Sequence, residues 1–313
     1  MHAMRARFRL GAIVVAALVG LGAGARAGEP VVGAPDPDAL FHSADPRLEA
    51  NKSVVYHLLK DVVQSGRPDL APRYLSDRFI EHDPAAAPLR RAKARHGPVA
   101  RRLQAPVVAV LAEGDYVVVA RPRTVGGGSG GPSYTTTWFD MWRVLGGKVV
   151  EHWSVATLAD APSVRSIAEP VVGAPDADAL FHIADPRLDA NKQLAYHFIK
   201  DIVEAGHWAD LTPVYATERY IQHNPNVPTG RDAAIKLFAE QLKMPVTPIA
   251  DRLKMKITAV VAEGDYVAVI LPRPVADPMN PARKFTTAWI DMWKVRDGKA
   301  DEHWDPSLRD EHF

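Results

Sequence analysis

The chain has 313 residues, no cysteine and a formal charge of +1 at neutral pH. Without cysteine there is no disulfide, thiolate metal site, Cys nucleophile or lipoprotein-type lipid anchor, so the fold must rest on its hydrophobic core. A charge this close to balance gives no reason to expect nucleic acid or an anionic membrane as partner.

The first residues read as an export signal. Arg5, Arg7 and Arg9 form a basic start, an apolar run from Leu10 to about Gly24 follows, and Ala25-Arg26-Ala27 is an A-x-A cleavage site. The apolar run falls short of the roughly 20 residues that span a bilayer, so residues 1–27 are expected to be cleaved after Ala27. The mature protein would then lie in the periplasm or outside the cell, free of the membrane. Loss of four arginines would take the formal charge from +1 to −3.

The remainder is written twice. Glu29–Gly66 and Glu169–Gly206 agree at 27 of 38 positions, both opening EPVVGAPD. Later pairs include Ile80-x-His82 with Ile221-x-His223, Ala112–Tyr116 (AEGDY) with Ala262–Tyr266, Asp140-Met141-Trp142 with Asp291-Met292-Trp293, and Glu151-His152-Trp153 with Glu302-His303-Trp304. A period of this length is a duplicated domain rather than a solenoid unit. The spacing predicts domains over 28–160 and 169–313, with the boundary in the aperiodic stretch Asp160–Ala168.

In the second copy, Leu188, Leu194, Ala195, Phe198, Ile199, Ile202 and Val203 recur at helical spacing and Gly206 is a stop. A short helix is expected over Asp210–Ala216, and a third opens at Gly230-Arg231-Asp232. The period then becomes strand-like. Leu253–Val261 and Tyr266–Leu271 flank a Glu263-Gly264-Asp265 turn, and Phe285–Val295 and Lys299–Asp305 flank Asp297-Gly298. Helices first and an antiparallel meander last predict an α+β domain with helices on one face of a curved sheet.

That order, together with TERYIQHNPNVPTGRDA, DMWKVRDGK and EHWD, resembles the SnoaL-like family of the nuclear transport factor 2-like superfamily. The resemblance covers Asp185–Ser307 and, more loosely, Asp45–Val155. It implies two tandem cone-shaped α+β barrels, each a curved antiparallel sheet wrapped around a largely apolar pocket that the helices close. It also implies a small hydrophobic ligand and no cofactor. Polyketide cyclases, ketosteroid isomerase-like enzymes and epoxide hydrolases share the fold, so fold alone does not decide among acid–base enzyme, binding module and interaction scaffold.

Alternation puts His303 and Asp305 on one strand face and Trp304 on the other. In an apolar pocket, desolvation would raise the Asp pKa and lower that of His, as acid–base work requires. The resemblance maps the family's pocket aspartate to Asp305. The alternative is a strand end capped by hydrogen-bonded polar residues. His223 is a second candidate acid–base group, or else a buried histidine bonded to backbone. Its parity pairs it with Ile221 and leaves Tyr220, Gln222 and Asn224 on the other face. Asp291 lies between Trp289 and Trp293 on one face. A two-residue Asp297-Gly298 turn would set it opposite Trp304, and a three-residue loop opposite His303. The catalytic set is therefore Asp305, His303, His223 and Asp291, and the ligand-lining set is Trp289, Trp293, Tyr220, Gln222 and Asn224. The four catalytic candidates are also metal-ligand types, but no compact ligand spacing supports a metal site.

Arg90–Arg95 reads as a solvated basic face and Gly126–Gly131 (GGGSGG) as a flexible connection. The first copy keeps His82, Asp140 and His152 but has Ser154 for Asp305 and Asp83 for Asn224, and it lacks the Gly230-type helix start. Its site is expected to be degenerate. The two copies, or two chains, are expected to pair through their sheet faces.

Overall fold

The structure, a computed structural model, describes residues 28–86, 98–126, 132–157, 159–160 and 168–309. The expected export signal, the Arg90–Arg95 cluster, nearly all of the Gly126–Gly131 run, most of the boundary stretch and residues 87–97 of the first copy lie outside these residues. No helix among the described residues is long and apolar enough to cross a membrane.

Each copy begins with an arm that leads into a long helix. In α1 (Pro46–His57) and α3 (Pro186–His197) an aspartate caps the first turn, Asp45 and Asp185 each accepting two backbone N–H groups, and proline fills the first helical position. Both helices run on without a break into a π-wound turn, Leu58–Gln64 and Phe198–Glu204. A short helix follows, α2 (Ala71–Tyr74) or α4 (Trp208–Tyr215), and then a strand, β1 (Leu75–Glu81) or β6 (Ala216–Gln222). In the second copy α5 (Arg231–Ile235) opens after Gly230, as its sequence predicted.

The meander of the first copy comprises β2 (Ala109–Glu113), β3 (Tyr116–Val125), β4 (Tyr134–Leu145) and β5 (Lys148–Ser154). That of the second comprises β7 (Ala259–Glu263), β8 (Tyr266–Asp277), β9 (Asn280–Arg296) and β10 (Lys299–Trp304). The sheet orders are β1-β5-β4-β3-β2 and β6-β10-β9-β8-β7. The meanders are antiparallel as expected, but β1 and β6 join β5 and β10 in parallel, so each sheet is mixed. β7 begins at Ala259 rather than Leu253 because the backbone before it is bonded to carboxylates instead of a strand. Leu253 N–H donates to Asp178, and Lys254 and Met255 N–H to Glu204.

The turn before β10 departs from both expected registers. Asp297 (φ 51°) and Gly298 (φ 72°) form the two-residue turn, and Lys299 pairs with Arg296. A bulge at Asp301 then shifts the ladder, so His303 pairs with Trp293 and Trp304 with Met292. Asp301 is held by Arg219 and by Thr217 Oγ1 at 2.8 Å. The bulge sets His303 diagonally beside Asp291 on the inner face.

Two of the three apolar cores lie between a sheet and its own helices, one built on Phe41, Val55, Leu58 and Trp142, the other on Phe198, Trp208, Tyr220 and Trp293. The third joins the outer faces of both sheets: Phe139, Met141 and Trp153 of the first copy meet Ile290, Met292 and Trp304 of the second. Each copy also inserts charge into the other. Lys52 Nζ lies 2.7 Å from Glu263 and Lys192 Nζ 2.5 Å from Glu113, both lysines being almost fully buried. Glu263 accepts Ala112 N–H and Glu113 accepts Ala262 N–H, each at 2.7 Å, so each carboxylate also closes a backbone donor on the other copy's edge strand.

Removing one partner from a buried ion pair leaves an uncompensated charge and costs about 3–5 kcal/mol. Glu263→Ala should therefore destabilise the protein by roughly that amount. Because the third core is shared, both copies should unfold in one denaturant transition, read by near- and far-UV circular dichroism together. Two separate transitions would contradict the shared core.

Candidate acid–base site

Three strands and the segments that follow two of them bring polar side chains together inside the second cone. Trp289, Asp291 and Trp293 alternate along β9 with Ile290 and Met292, which face the other copy. β10 supplies His303, β6 supplies Tyr220 and Gln222, the following loop supplies Asn224, and Asp305 stands just past β10. His303 Nε2 lies 3.2 Å from Asp291 Oδ1, and Nδ1 lies 3.0 Å from Gln222 Oε1 and 4.0 Å from Asp305 Oδ2. Both ring nitrogens face acceptors, the arrangement of an imidazolium. Asp305, only 3% exposed, accepts Ser307 N–H at 2.9 Å and Asn224 Nδ2–H at 2.7 Å. Trp289 Nε1–H donates to Asp291 Oδ2 at 3.2 Å.

Burial is the largest influence on Asp305 and pushes its carboxyl above the usual range. His303 opposes the shift and Asp291 adds to it. Burial works against the charged form of His303, but the Asp291 hydrogen bond and the charges of Asp305 and Asp291 outweigh it and raise that pKa as well. The expected lowering of the histidine is thus reversed, because its neighbours are carboxylates rather than apolar groups. Burial thus makes Asp305 harder to ionise than an ordinary carboxyl, and the neighbouring carboxylates make His303 harder to deprotonate than an ordinary imidazole.

The first copy has the same geometry with different charges. Glu81, Asp83, Arg121 and Ser154 stand where the second has Gln222, Asn224, Leu271 and Asp305. His152 is gripped by Glu81 at 2.7 Å and Asp140 at 3.1 Å, and Arg121 pairs with Asp140. Burial disfavours the charged forms, but Glu81 and Asp140 hold His152 up at about 10, and Arg121 and His152 hold Asp140 down at about 2. The carboxyl expected to be missing is present on another element: Ser154 Oγ–H donates to Asp83 Oδ2 at 2.9 Å, and burial raises Asp83 to about 6. In the second copy acid and donor have exchanged places, Asp305 on the strand side and Asn224 on the loop.

Among the sequence candidates, Asp305, His303, Asp291, Gln222, Asn224 and Trp289 come together here. His223 does not. One residue out of phase with Gln222, it lies on the outer face, its ring stacked 4.7 Å from Trp304 and its Nδ1 3.1 Å from Glu29 O. This corrects its assignment to the catalytic set. Tyr220 and Trp293 form wall rather than ligand surface: both are buried, and Trp293 Nε1–H donates to Tyr220 Oη at 3.3 Å. Without His223 the possible metal-holding set reduces to Asp291, His303 and Asp305, whose ligand atoms lie within 4.8 Å of one another.

Neither of two clefts among the described residues is the expected cavity lined by His303 and Asp305. A cleft of about 690 Å³ lies between the arm Val171–Asp178 and Arg252–Lys256, and one of about 410 Å³ opens on Arg121, Trp138 and Asp140 of the first copy. Phe198, Trp208, Tyr220, Leu237 and Trp293 fill the second cone. Of Asp291, His303 and Asp305, Asp291 is the most open, its side chain 21% exposed. Reading alternation along the strands also missed the roles of Arg121 against Leu271, Glu81 against Gln222, and Ser307. The first two contrasts were available by setting the two copies side by side.

Residues 196–303 match the SnoaL-like domain family. No curated protein matches the chain. Among solved structures, the chain is similar to TsrD from Streptomyces laurentii (21% identity, 39% of this chain and 90% of that one, TM-score 0.27). It is also similar to a candidate SnoaL-like polyketide cyclase from Jannaschia sp. CCS1 (19%, 40% and 89%, 0.29) and a candidate polyketide cyclase from Bacillus cereus ATCC 10987 (20%, 45% and 87%, 0.27). The SnoaL-like match thus falls within the second copy, and the first copy repeats that copy's five-stranded sheet strand for strand.

Proposed function

We propose that the chain is an exported small-molecule protein whose second copy transfers protons on a small apolar carbonyl compound, in an isomerisation, cyclisation or aldol-type condensation. The observation that carries this reading is the contrast between the copies. Arg121 and Glu81 add two further ion-pair partners to the first cluster, whereas Leu271 and Gln222 leave the second with His303 as its one cation, shared between Asp291 and Asp305. The first copy is then the inert half of an intrachain pseudo-dimer formed through the sheet faces.

In this reading ionised Asp305 takes a proton from the carbon next to the carbonyl and becomes the neutral acid that burial favours. His303 faces the developing enolate oxygen through Nδ1–H, the ring nitrogen nearer Asp305, with the ligand oxygen replacing Gln222 Oε1. Asp305 then returns the proton to the same or another carbon. Asp291 holds the imidazolium, and Trp289 lines the approach beside it.

A second reading, a protein-interaction module without turnover, is favoured by the packed cone interior. A simple ketone separates the two. Wild-type protein should speed exchange of the α-protons of 2-tetralone in D2O, followed by NMR. Asp305→Asn should lower that rate by about 10²–10⁴ while retaining 2-tetralone affinity. Neither acceleration nor binding of 2-tetralone by the wild type would leave the interaction reading standing.

The first copy makes its own prediction. His152 is raised from 6.5 to about 10, so its stabilisation is complete below pH 6.5 and is lost as pH rises toward about 10. Unfolding free energy should fall across that window, and His152→Gln should remove that part of the fall. A wild-type imidazole that loses its proton near pH 6.5 in ¹⁵N NMR would overturn the assignment of a locked first cluster.

A further inference from the structure

The loop that presents Asp305 is held from across the seam. Thr136, in β4 of the first copy, is fully buried in the region where the sheets meet. Its hydroxyl donates to Ser307 O at 2.7 Å and lies 3.5 Å from Asp305 O. Ser307 in turn gives its N–H to Asp305 Oδ1, and Ser307 Oγ and Asp305 Oδ2 share the Asn224 amide. A hydroxyl in an apolar interface is costly unless bonded, and valine would fill the same space without that demand. The mirror contact is present too: Thr287 Oγ1 donates to Ser154 O at 2.8 Å and to Ala156 O at 2.5 Å.

A second brace comes from the arm of the first copy. Glu29 N–H donates to Gln222 O at 2.7 Å, and Glu29 O accepts from His223 Nδ1. At Gly28 an added Cβ would come within 2.3 Å of Asn224 O and 2.7 Å of Gln222 O, so the arm crosses this loop on bare backbone. Gln222 and Asn224 are the side chains that orient His303 and Asp305.

We infer that Thr136 and the Gly28–Glu29 arm are positioning residues that the first copy contributes to the Asp305–His303 cluster, so that the second site is complete only with the first copy seated on it. The catalytic meaning of this rests on the proton-transfer reading, but the geometry can be tested without turnover.

The test is a ¹³C-carboxyl titration of Asp305 in the full chain, with the resonance assigned through Asp305→Asn. Thr136→Val should move Asp305 toward the ordinary carboxylate range by about one pH unit, a tenfold change in its acid constant. Thr136→Ser, which keeps the hydroxyl, should titrate as wild type. Gly28→Ala, which sets a methyl group against Asn224 O and Gln222 O, should shift Asp305 in the same direction. Thr287→Val should leave Asp305 in place and move Asp83 instead. The inference is overturned if Thr136→Val and Gly28→Ala leave Asp305 unmoved, if Thr136→Ser behaves like Thr136→Val, or if Thr287→Val shifts Asp305 equally, which would mean general loosening of the seam. Loss of 2-tetralone exchange is not part of this readout, so failure of the proton-transfer reading would leave its result interpretable.

Discussion

Two carboxyl groups and an imidazole cannot share a dry space on arbitrary terms. Each must be neutralised, protonated or bonded, and the second cone uses all three. Asp291 sits against the His303 ring, Asp305 is pushed toward its neutral form, and Gln222, Asn224, Trp289 and Ser307 satisfy the remaining polar atoms. The first cone meets the same constraint with fixed counter-charges, Arg121 on Asp140 and Glu81 on His152. One scaffold thus carries an ion-paired cluster and a protonation-dependent one.

The seam between the copies explains how such a cluster can be held. The outer sheet faces are spent on each other, and the buried lysines are matched by glutamates of the opposite copy. The strands bearing the site therefore cannot move independently of the other half. Backbone carbonyls of the Asp305 loop are bonded to Thr136, and the end of β6 is bonded to Glu29. Duplication within one chain keeps the supporting face permanently present.

Much of this was legible in the sequence because periodicity reports which face a residue occupies. The repeat, the helices followed by a meander, and the common face of Trp289, Asp291 and Trp293 all follow from spacing. The same parity that grouped Tyr220, Gln222 and Asn224 also separated His223 from them, and the structure bears out that separation while removing His223 from the chemistry. Pairing distances were not legible. The bulge at Asp301 depends on a partner from another strand, Arg219, that no local pattern identifies. The shift of His303 depends on carboxylates that reach it only through that bulge. The parallel seating of β1 and β6 likewise arises from tertiary packing. The transfer of the first copy's carboxyl from the strand to Asp83 shows why counting acids position by position misjudges a site: the carboxyl is retained in space although it is lost from the aligned position.

The account stands on the missing guanidinium where Leu271 occupies the place of Arg121. It is tested most directly by following the Asp305 carboxyl in wild type and in Leu271→Arg by ¹³C NMR across pH. Asp305 should ionise above the ordinary 3.8 in wild type and at a lower pH once a guanidinium faces Asp291. Ionisation at or below 3.8 in the wild type, with no response to the arginine, would contradict it.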